Sequence, residues 1–263
     1  AQRQLENLGL IAARPRSGYY ILSHPWQKPA LPAASQPDLK PTPVTGQELV
    51  LQLAQITSQP GFVQFGAAVP DESFLPMRAF QRSLGKTVRH YGKRAANYAF
   101  PPGLPELQHQ IARRMHLCGS PVDPSRILIS NGCQEALSLA LQTVASPGDI
   151  IAIESPTFYG LLQVIESLGM KALEIPTDPQ SGISLPDLEL ALAQWPVKAC
   201  VLIPNFSNPL GSLMPVAHKQ QLVALAHRHD IVLIEDDIYG DLAFNGERPP
   251  NLLSFETNTR HGN

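Results

Sequence analysis

The chain has 263 residues and a mass of 28.7 kDa, enough for one large hydrophobic core or for one core and a fragment of another. Its hydrophobic fraction of 43%, its charged fraction of 16% and its lack of a long apolar run predict a soluble protein without a membrane span. The net charge of -2 excludes a surface that is basic throughout, but it leaves room for a local basic patch.

The three cysteines, Cys118, Cys133 and Cys200, are odd in number and show no CxxC spacing. This pattern argues against a disulfide framework or a zinc site, and it favours a reducing, cytoplasmic compartment. The first residues do not have the pattern of a signal peptide. Because the chain starts without a methionine and its last residues close no recognisable element, we expect it to be an interior piece of a longer protein.

The first 22 residues predict the end of one structural unit. Residues 4–8 have leucines at helical spacing, and Gly9 stands where a helix C-cap is expected. Two short apolar runs, 10–13 and 19–22, flank the sequence RPRSG, which predicts a β-hairpin with Arg14 and Arg16 at its tip. Without context, such a tip is more often a solvated turn than a binding element.

The context is the sequence LENLGLIAARPRSGYYI, which resembles the end of the winged helix-turn-helix domain of GntR-type bacterial repressors. The resemblance implies that the hairpin is the wing and that Arg14 and Arg16 lie along the DNA backbone or in the minor groove. There they would contribute salt-sensitive affinity more than base recognition. The recognition helix of such a domain is expected upstream of this chain.

Residues 23–45 predict a semi-rigid extended linker, because they carry six prolines and little apolar periodicity. From residue 46 onward, helical segments alternate with strands that are apolar along their length. The predicted helices are 47–57, 74–88, 104–117, 134–145, 157–168, 186–194 and 215–229, and the predicted strands are 127–130, 150–154, 171–175, 199–204 and 231–235. This alternation predicts an α/β domain with a parallel sheet that is covered on both faces.

In an open parallel sheet a ligand binds beyond the carboxyl ends of the strands. After the first predicted strand, Gly132 leads into a helix, and a glycine turn before a helix N-terminus is suited to an anion. Alone this signal is weak, since such turns occur in most α/β proteins. Three further strands are followed by Phe158 and Tyr159, by Asn208, and by the pair of Asp236 and Tyr239. Together these residues predict a site for a flat, phosphorylated, nitrogen-containing ring.

Taken in this order, the segments resemble the fold type I pyridoxal 5'-phosphate enzymes, the aspartate aminotransferase superfamily, from about Gln64 to the end of the chain. The resemblance implies that the backbone amides of Gly132, Cys133 and Gln134 hold the cofactor phosphate, and that Phe158 stacks on the pyridine ring.

The same resemblance implies that Asn208, in an Asn-Pro-x-Gly motif, donates to the phenolic oxygen O3' of the cofactor, which Tyr239 shares. Asp236 would pair with the ring nitrogen, and a carboxylate there keeps the ring protonated and therefore a better electron sink. Tyr98, five residues before Gly103, matches a family tyrosine that reaches across a dimer interface to the partner's phosphate.

Each residue also has a simpler interpretation. Cys133 at a helix start could be a nucleophile, but without a histidine beside it in the sequence we expect it to act through its backbone. Asp236 and Asp237 could be helix caps or metal ligands, Phe158 could be a core residue, and Asn208 before a proline could start a turn. The order of all these residues along the chain favours the cofactor site, and we expect no metal site.

In the family, the cofactor forms a Schiff base with a lysine that follows the Asp-x-x-Tyr segment by a few dozen residues. No lysine follows Tyr239 in this chain. The resemblance therefore places that catalytic lysine, and the arginines that bind phosphate and substrate carboxylate, downstream. We expect no catalytic residue within this chain and no transamination by it alone.

A wing, a proline-rich linker and an aminotransferase-like domain together resemble the MocR branch of the GntR regulators. The resemblance implies a homodimeric transcription factor in which pyridoxal phosphate, or its adduct with an amino compound, biases the placement of the DNA-binding domains. The alternative is a plain aminotransferase with an incidental hairpin, against which the RPRSGYY sequence and the linker argue. A doubly wound nucleotide-binding domain is disfavoured, because no GxGxxG follows a predicted strand.

Overall fold

The computed structural model describes residues 2–22, 30–46 and 71–256, together with Gln52 and Gln55. The molecule divides into two compact units, Ala1–Ala33 and Ala34–Asn263. Of the predicted helix over 47–57, only Gln52 and Gln55 belong to the described residues, and both are helical. Residues 23–29 of the predicted linker also lie outside the described residues. Among the described residues, no helix has both the length and the apolar character that a membrane crossing needs.

The first unit contains the hairpin that the sequence predicts. Helix α1 spans Gln2–Asn7 and is followed by Gly9 at φ 66°. Strands β1 (Ile11–Arg14) and β2 (Gly18–Ile21) pair antiparallel, from Ile11 opposite Ile21 to Arg14 opposite Gly18. The residues between the strands, 15–17, therefore form the tip.

The second unit is built on a sheet with a parallel centre, as predicted. Its parallel strands are β4 (Ile150–Ser155), β5 (Lys171–Asp178), β7 (Val197–Leu202) and β8 (Val232–Glu235). They lie in the order β5-β4-β7-β8. Two short strands, β3 (Thr42–Pro43) and β6 (Gly182–Ile183), pair antiparallel with β5.

Helices cover both faces of this sheet, which is why its strands are apolar through their length. The helices of the second unit are α2 (Met77–Tyr91), α3 (Pro105–Leu117), α4 (Cys133–Val144), α5 (Tyr159–Ser167), α6 (Leu185–Gln194) and α7 (Val216–His229). Ile151 and Ile153 pack with α4 and α5 on one face, whereas Ala152 and Leu173 pack with α6 and α7 on the other. Because β4, β7 and β8 are parallel neighbours, their carboxyl ends lie at one edge of the domain.

The prediction of a strand over residues 127–130 is wrong. The segment pairs with no strand of the described residues, and its backbone bonds elsewhere. The Ile129 N–H donates to the carbonyl of Pro102 (2.8 Å), and the carbonyl of Ile127 accepts from the side-chain amide of Gln108 (2.6 Å). An apolar run becomes a strand only where a neighbouring strand takes its backbone groups, and here the region around the start of α3 takes them.

The second half of the predicted linker contacts the sheet. The Ser35 N–H donates to the carbonyl of Thr177 (3.3 Å), and the Thr177 N–H donates to the Ser35 hydroxyl (3.0 Å). Further along, Thr42 and Pro43 form β3, and the indole N–H of Trp195 donates to the carbonyl of Leu39 (3.1 Å). Residues 35–43 therefore run along the outer edge of β5.

Candidate functional site

The N-terminus of α4 is an accessible position for an anion at the edge where the strands end. Gly132, at φ 95°, precedes the helix, and no atom lies within 4 Å of the point where a Cβ on Gly132 would be. The first amides of a helix lack intrahelical acceptors and point outward, so they can bind an anion. The Glu135 carboxylate accepts from the side-chain amide of Asn131 (3.1 Å), and this contact holds the turn that presents Gly132.

Phe158 and Gln134 meet over Gly160, in the first turn of α5. Phe158 Cε1 and Gln134 Nε2 each lie 2.3 Å from the point where a Gly160 Cβ would be. Any side chain at position 160 would therefore collide with both. The Phe158 ring also lies 4.7 Å from the Tyr159 ring, centroid to centroid. The close approach of Gly160 thus brings the aromatic residue that follows β4 to the start of α4.

Asn208 and Tyr239 are joined by a hydrogen bond, in which the side-chain amide of Asn208 donates to the Tyr239 hydroxyl (3.2 Å). Asn208 follows β7 and Tyr239 follows β8. Their contact shows that the two loops carry their polar side chains to the same place.

Asp236 and Cys133 are also close enough to interact electrostatically. Burial raises the pKa of the Asp236 carboxyl, the Ile238 N–H opposes this shift, and Asp237 adds to it. Burial and the charge of Asp236 raise the pKa of the Cys133 thiol. A raised thiol pKa makes Cys133 a poor nucleophile at neutral pH, which agrees with a role for its backbone alone.

Two contacts and one electrostatic interaction relate the predicted site residues to one another. Phe158 meets Gln134, the neighbouring Cys133 interacts with Asp236, and Tyr239, three residues after Asp236, binds Asn208. One edge of the sheet, which we call the rim, therefore carries the N-terminus of α4, the Phe158 ring, the Asp236 carboxyl group and the Asn208–Tyr239 pair.

Tyr98 lies apart from this group. Its side chain is 88% exposed, and its ring is 6.1 Å from that of Phe100. Arg14 and Arg16 belong to the hairpin unit and are exposed. The Arg14 guanidinium lies 4.3 Å from the centroid of the Tyr20 ring, and Arg16 has a φ of 61°.

A buried polar network that was not predicted from the sequence supports the loops of the rim. Lys219 of α7 is fully buried, and its ammonium group donates to Asn205 Oδ1 (2.5 Å) and to the carbonyl of Pro250 (2.6 Å). The Asn205 amide donates to Asp237 (2.8 Å), which also pairs with Arg248. The network thus ties α7 to the loops after β7 and β8, on which Asn208 and Asp236 lie.

A signal for Lys219 was present in the sequence. Lys219 lies three and four residues before Leu222 and Val223 and seven before Ala226, all of which are buried. A lysine at these spacings falls on the apolar stripe of its helix. Burial lowers the pKa of Lys219, an effect that Glu235 and Asp237 oppose.

A covered parallel sheet with this rim at the carboxyl ends of its strands is typical of an aminotransferase-like domain. The chain belongs to the aminotransferase class I and II family, whose model matches residues 71–260. The fold predicted from the sequence is thereby confirmed.

Nearly the whole chain is also similar to part of known transcriptional regulators. It is 41% identical over 260 residues to the HTH-type transcriptional regulator YjiR of Escherichia coli, covering 99% of this chain and 55% of the relative. It is 41% identical over 249 residues to the HTH-type transcriptional regulator YdcR of the same organism, and the match covers 95% of this chain and 53% of YdcR. These similarities confirm the resemblance to MocR-type regulators, and the chain spans about half the length of the curated relatives it matches.

Solved structures give the same fold. LysN, an α-aminoadipate aminotransferase of Thermus thermophilus crystallised with N-(5'-phosphopyridoxyl)-L-leucine, matches with a TM-score of 0.65 and 27% identity, covering 71% of this chain and 46% of LysN. A multiple substrate aminotransferase of Thermococcus profundus matches with a TM-score of 0.71 and 25% identity, and the match covers 79% of this chain and 53% of that aminotransferase.

Proposed function

We propose that the chain is part of a transcriptional regulator whose aminotransferase-like domain binds pyridoxal 5'-phosphate and senses an amino compound. The observation that carries the proposal is the single rim that links Phe158, Gln134, Cys133, Asp236, Tyr239 and Asn208. The similarity to regulators over nearly the whole chain, hairpin included, supports the regulatory role.

The residues present fit this cofactor. The open approach at Gly132 and the amides at the start of α4 suit a phosphate dianion. The half-buried Asp236 carboxylate suits a pyridinium nitrogen, because a partner cation would offset the burial that now raises its pKa. The Asn208 amide and the Tyr239 hydroxyl, already in contact, suit a phenolic oxygen. Pyridoxal phosphate, when bound, supplies an electrophilic carbon for an amino group and an electron sink.

The protein's own residues then have distinct roles. The amides of Gly132, Cys133 and Gln134 bind the phosphate, and the Phe158 ring covers one face of the pyridine. Asp236 holds the proton on the ring nitrogen, whereas Asn208 and Tyr239 orient the ring through its oxygen. None of these residues transfers the amino group, and we propose that catalytic groups, where the full-length protein has them, lie outside this chain.

The remaining assignments are part of the same proposal. Arg14 and Arg16 would contact DNA phosphates as the wing of a winged helix. The exposed Tyr98 would reach the partner's cofactor in a homodimer. The linker over 23–45 would connect the two units, and the regulator would act in the cytoplasm.

Cofactor retention by the full-length protein tests the site. We expect Asp236→Ala to lower the visible absorbance of retained pyridoxal phosphate after gel filtration, because the pyridinium loses its counter-charge. Asp38→Ala, at an exposed aspartate of residues 35–43, is the matched control and should retain the cofactor as the unmodified protein does. Equal retention by the Asp236 variant would overturn the assignment.

The second candidate is a plain aminotransferase, which the similarity to LysN favours. The two functions are separated by assaying the full-length protein for a sequence-specific, salt-sensitive DNA complex and for amino transfer to a 2-oxo acid. Amino transfer without any such complex would favour the enzyme over the regulator.

A further inference from the structure

Helix α2 carries a local concentration of positive charge that the cofactor site does not use. Between Glu72 and Glu106 the sequence has no acidic residue, and it has six of the chain's 20 lysines and arginines. All six are exposed in the structure. They are Arg78, Arg82, Lys86 and Arg89 on α2, and Lys93 and Arg94 in the turn that follows. The chain as a whole has a net charge of -2, so this density of charge is local.

The four basic residues of α2 form a stripe, which we call the basic ridge. Their spacing of four, four and three residues places them on one side of a helix that turns about 100° per residue. The ridge is about 16 Å long. None of its members forms an ion pair with the residues that the structure describes. Arg89 lies back over Gly85, its Nη1 3.5 Å from the point where a Gly85 Cβ would be.

An apolar stripe occupies the opposite side of α2. Met77, Phe80, Leu84 and Val88 are each about half exposed, at 48%, 58%, 53% and 51%. The centres of the two stripes are about 150° apart around the helix. Protein that packs on the apolar stripe would therefore leave the basic ridge facing away from it.

We infer that the basic ridge of α2 binds the phosphate backbone of duplex DNA, as a second contact besides the wing. This inference rests on the proposed regulatory function. Duplex DNA carries about one negative charge per 1.7 Å of axis with both strands counted, so a stretch as long as the ridge, about 16 Å, carries roughly ten phosphates, of which those on the near side can be contacted. Arginine and lysine on a helix are suited to such contacts, which fix the position of a protein on DNA without reading bases.

A solvated charged face is the simpler explanation for most charge runs, and a basic amphipathic helix is also typical of a membrane surface. Two observations favour DNA. The four charges stand in line without counter-charges among the described residues, and the same chain presents Arg14 and Arg16 on a hairpin. Anionic vesicles therefore belong in the test as the competing partner.

The experiment measures the affinity of the full-length protein for a fluorescent duplex of arbitrary sequence, about four helical turns long, by anisotropy over a range of sodium chloride concentrations. The slope of log K against log salt is about -0.9 for each phosphate that the protein neutralises. We expect Arg82→Gln, Lys86→Gln and Arg89→Gln together to lower the magnitude of the slope by about 2 to 3. Retained cofactor and an unchanged melting temperature would show that the variant is folded.

A matched control removes three charges elsewhere. Lys40→Gln, Lys171→Gln and Lys198→Gln change exposed residues where the sheet strands begin, and they should change the slope by less than about 1. Arg14→Gln with Arg16→Gln tests the wing separately.

The outcomes are distinguishable. If the unmodified protein shows no salt-dependent binding, the proposed function itself fails. If it binds and the wing variant lowers the slope, while the ridge variant behaves as the lysine control, the ridge inference alone is overturned. The inference is also overturned if the ridge variant loses only its binding to vesicles of phosphatidylcholine and phosphatidylserine.

Discussion

At the scale of single residues, Gly160 lies where a side chain would collide with two residues of the proposed cofactor site. Phe158 and Gln134 both occupy the space that a side chain there would need. Gly160 itself is buried, so a Cβ there would have to displace the Phe158 ring and the Gln134 side chain. The position of the Phe158 ring therefore depends on the absence of a Cβ two residues later.

We expect Gly160→Ala to weaken pyridoxal phosphate binding by the full-length protein about two- to tenfold. The added methyl group displaces the Phe158 ring, and an aromatic stacking contact contributes about 0.5–1.5 kcal/mol. The dissociation constant can be measured by absorbance titration. Gly85→Ala is the control, because a Cβ there meets only ordinary contacts, and its cofactor affinity should equal that of the unmodified protein. An unaltered affinity in the Gly160 variant would show that Phe158 does not contact the ring.

At the scale of elements, Lys219 links helix α7 to the loops that carry the site. Its two acceptors, Asn205 and Pro250, are 14 and 31 residues away in the chain. Asn205 in turn donates to Asp237, the neighbour of Asp236. A buried lysine is retained at a desolvation cost, and here it holds together segments that share no regular hydrogen-bond ladder.

Lys219→Met should lower the free energy of unfolding by about 1–3 kcal/mol. The thioether cannot donate, so the buried oxygens of Asn205 and Pro250 lose a partner. Urea denaturation measures the change. Lys198→Met, at an exposed lysine, should change stability by no more than about 0.5 kcal/mol. Equal stabilities for the two variants would mean that the network does not stabilise the fold.

The same elements show what the sequence could predict. Apolar runs such as 150–154 and 171–175 predicted the strands observed at Ile150–Ser155 and Lys171–Asp178, since the centres of these strands are buried on both faces. The positions of Phe158, Asn208 and Asp236 after successive strands predict that they lie at one edge, because parallel strands end on the same side of a sheet.

Other features had no local signal in the sequence. The run 127–130 was predicted as a strand, but hydrophobicity does not reveal whether a partner strand is available. The contact of Lys219 with Pro250 joins residues that are 31 positions apart in the chain. The approach of Gly160 to Gln134 is set by tertiary packing, which no spacing of residue types records.

At the scale of the whole molecule, two buried glutamates make stability depend on pH. Burial raises the pKa of Glu154 to about 7, although one of its oxygens accepts from the Ile203 N–H (2.9 Å). Burial also raises the pKa of Glu235 to about 7. In each case the folded protein holds a proton that the unfolded chain releases near pH 4.5. This contribution to stability is complete below the unfolded pKa and is lost as the pH rises through the folded pKa.

We therefore expect the free energy of unfolding to fall between about pH 5 and pH 8, by about 2–3 kcal/mol for Glu154 alone. Glu154→Gln removes the titrating group, so its fall should be smaller by that amount. Urea unfolding at the two pH values measures the difference. Glu106→Gln, at an exposed glutamate, should leave the fall as it is in the unmodified protein. A Glu154 variant with the same fall would show that this carboxyl is not protonated in the native state.

The attachment of residues 35–43 to β5 has a consequence for solubility. An uncovered outer strand offers its free N–H and C=O groups to strands of other molecules and so invites aggregation. Ser35 occupies the groups of Thr177 near one end of β5, and β3 pairs with Lys171 and Ala172 at the other. Pro43 cannot donate a hydrogen bond and therefore cannot extend the ladder. Residues 35–43 thus also protect the outer edge of β5 from pairing with strands of other molecules.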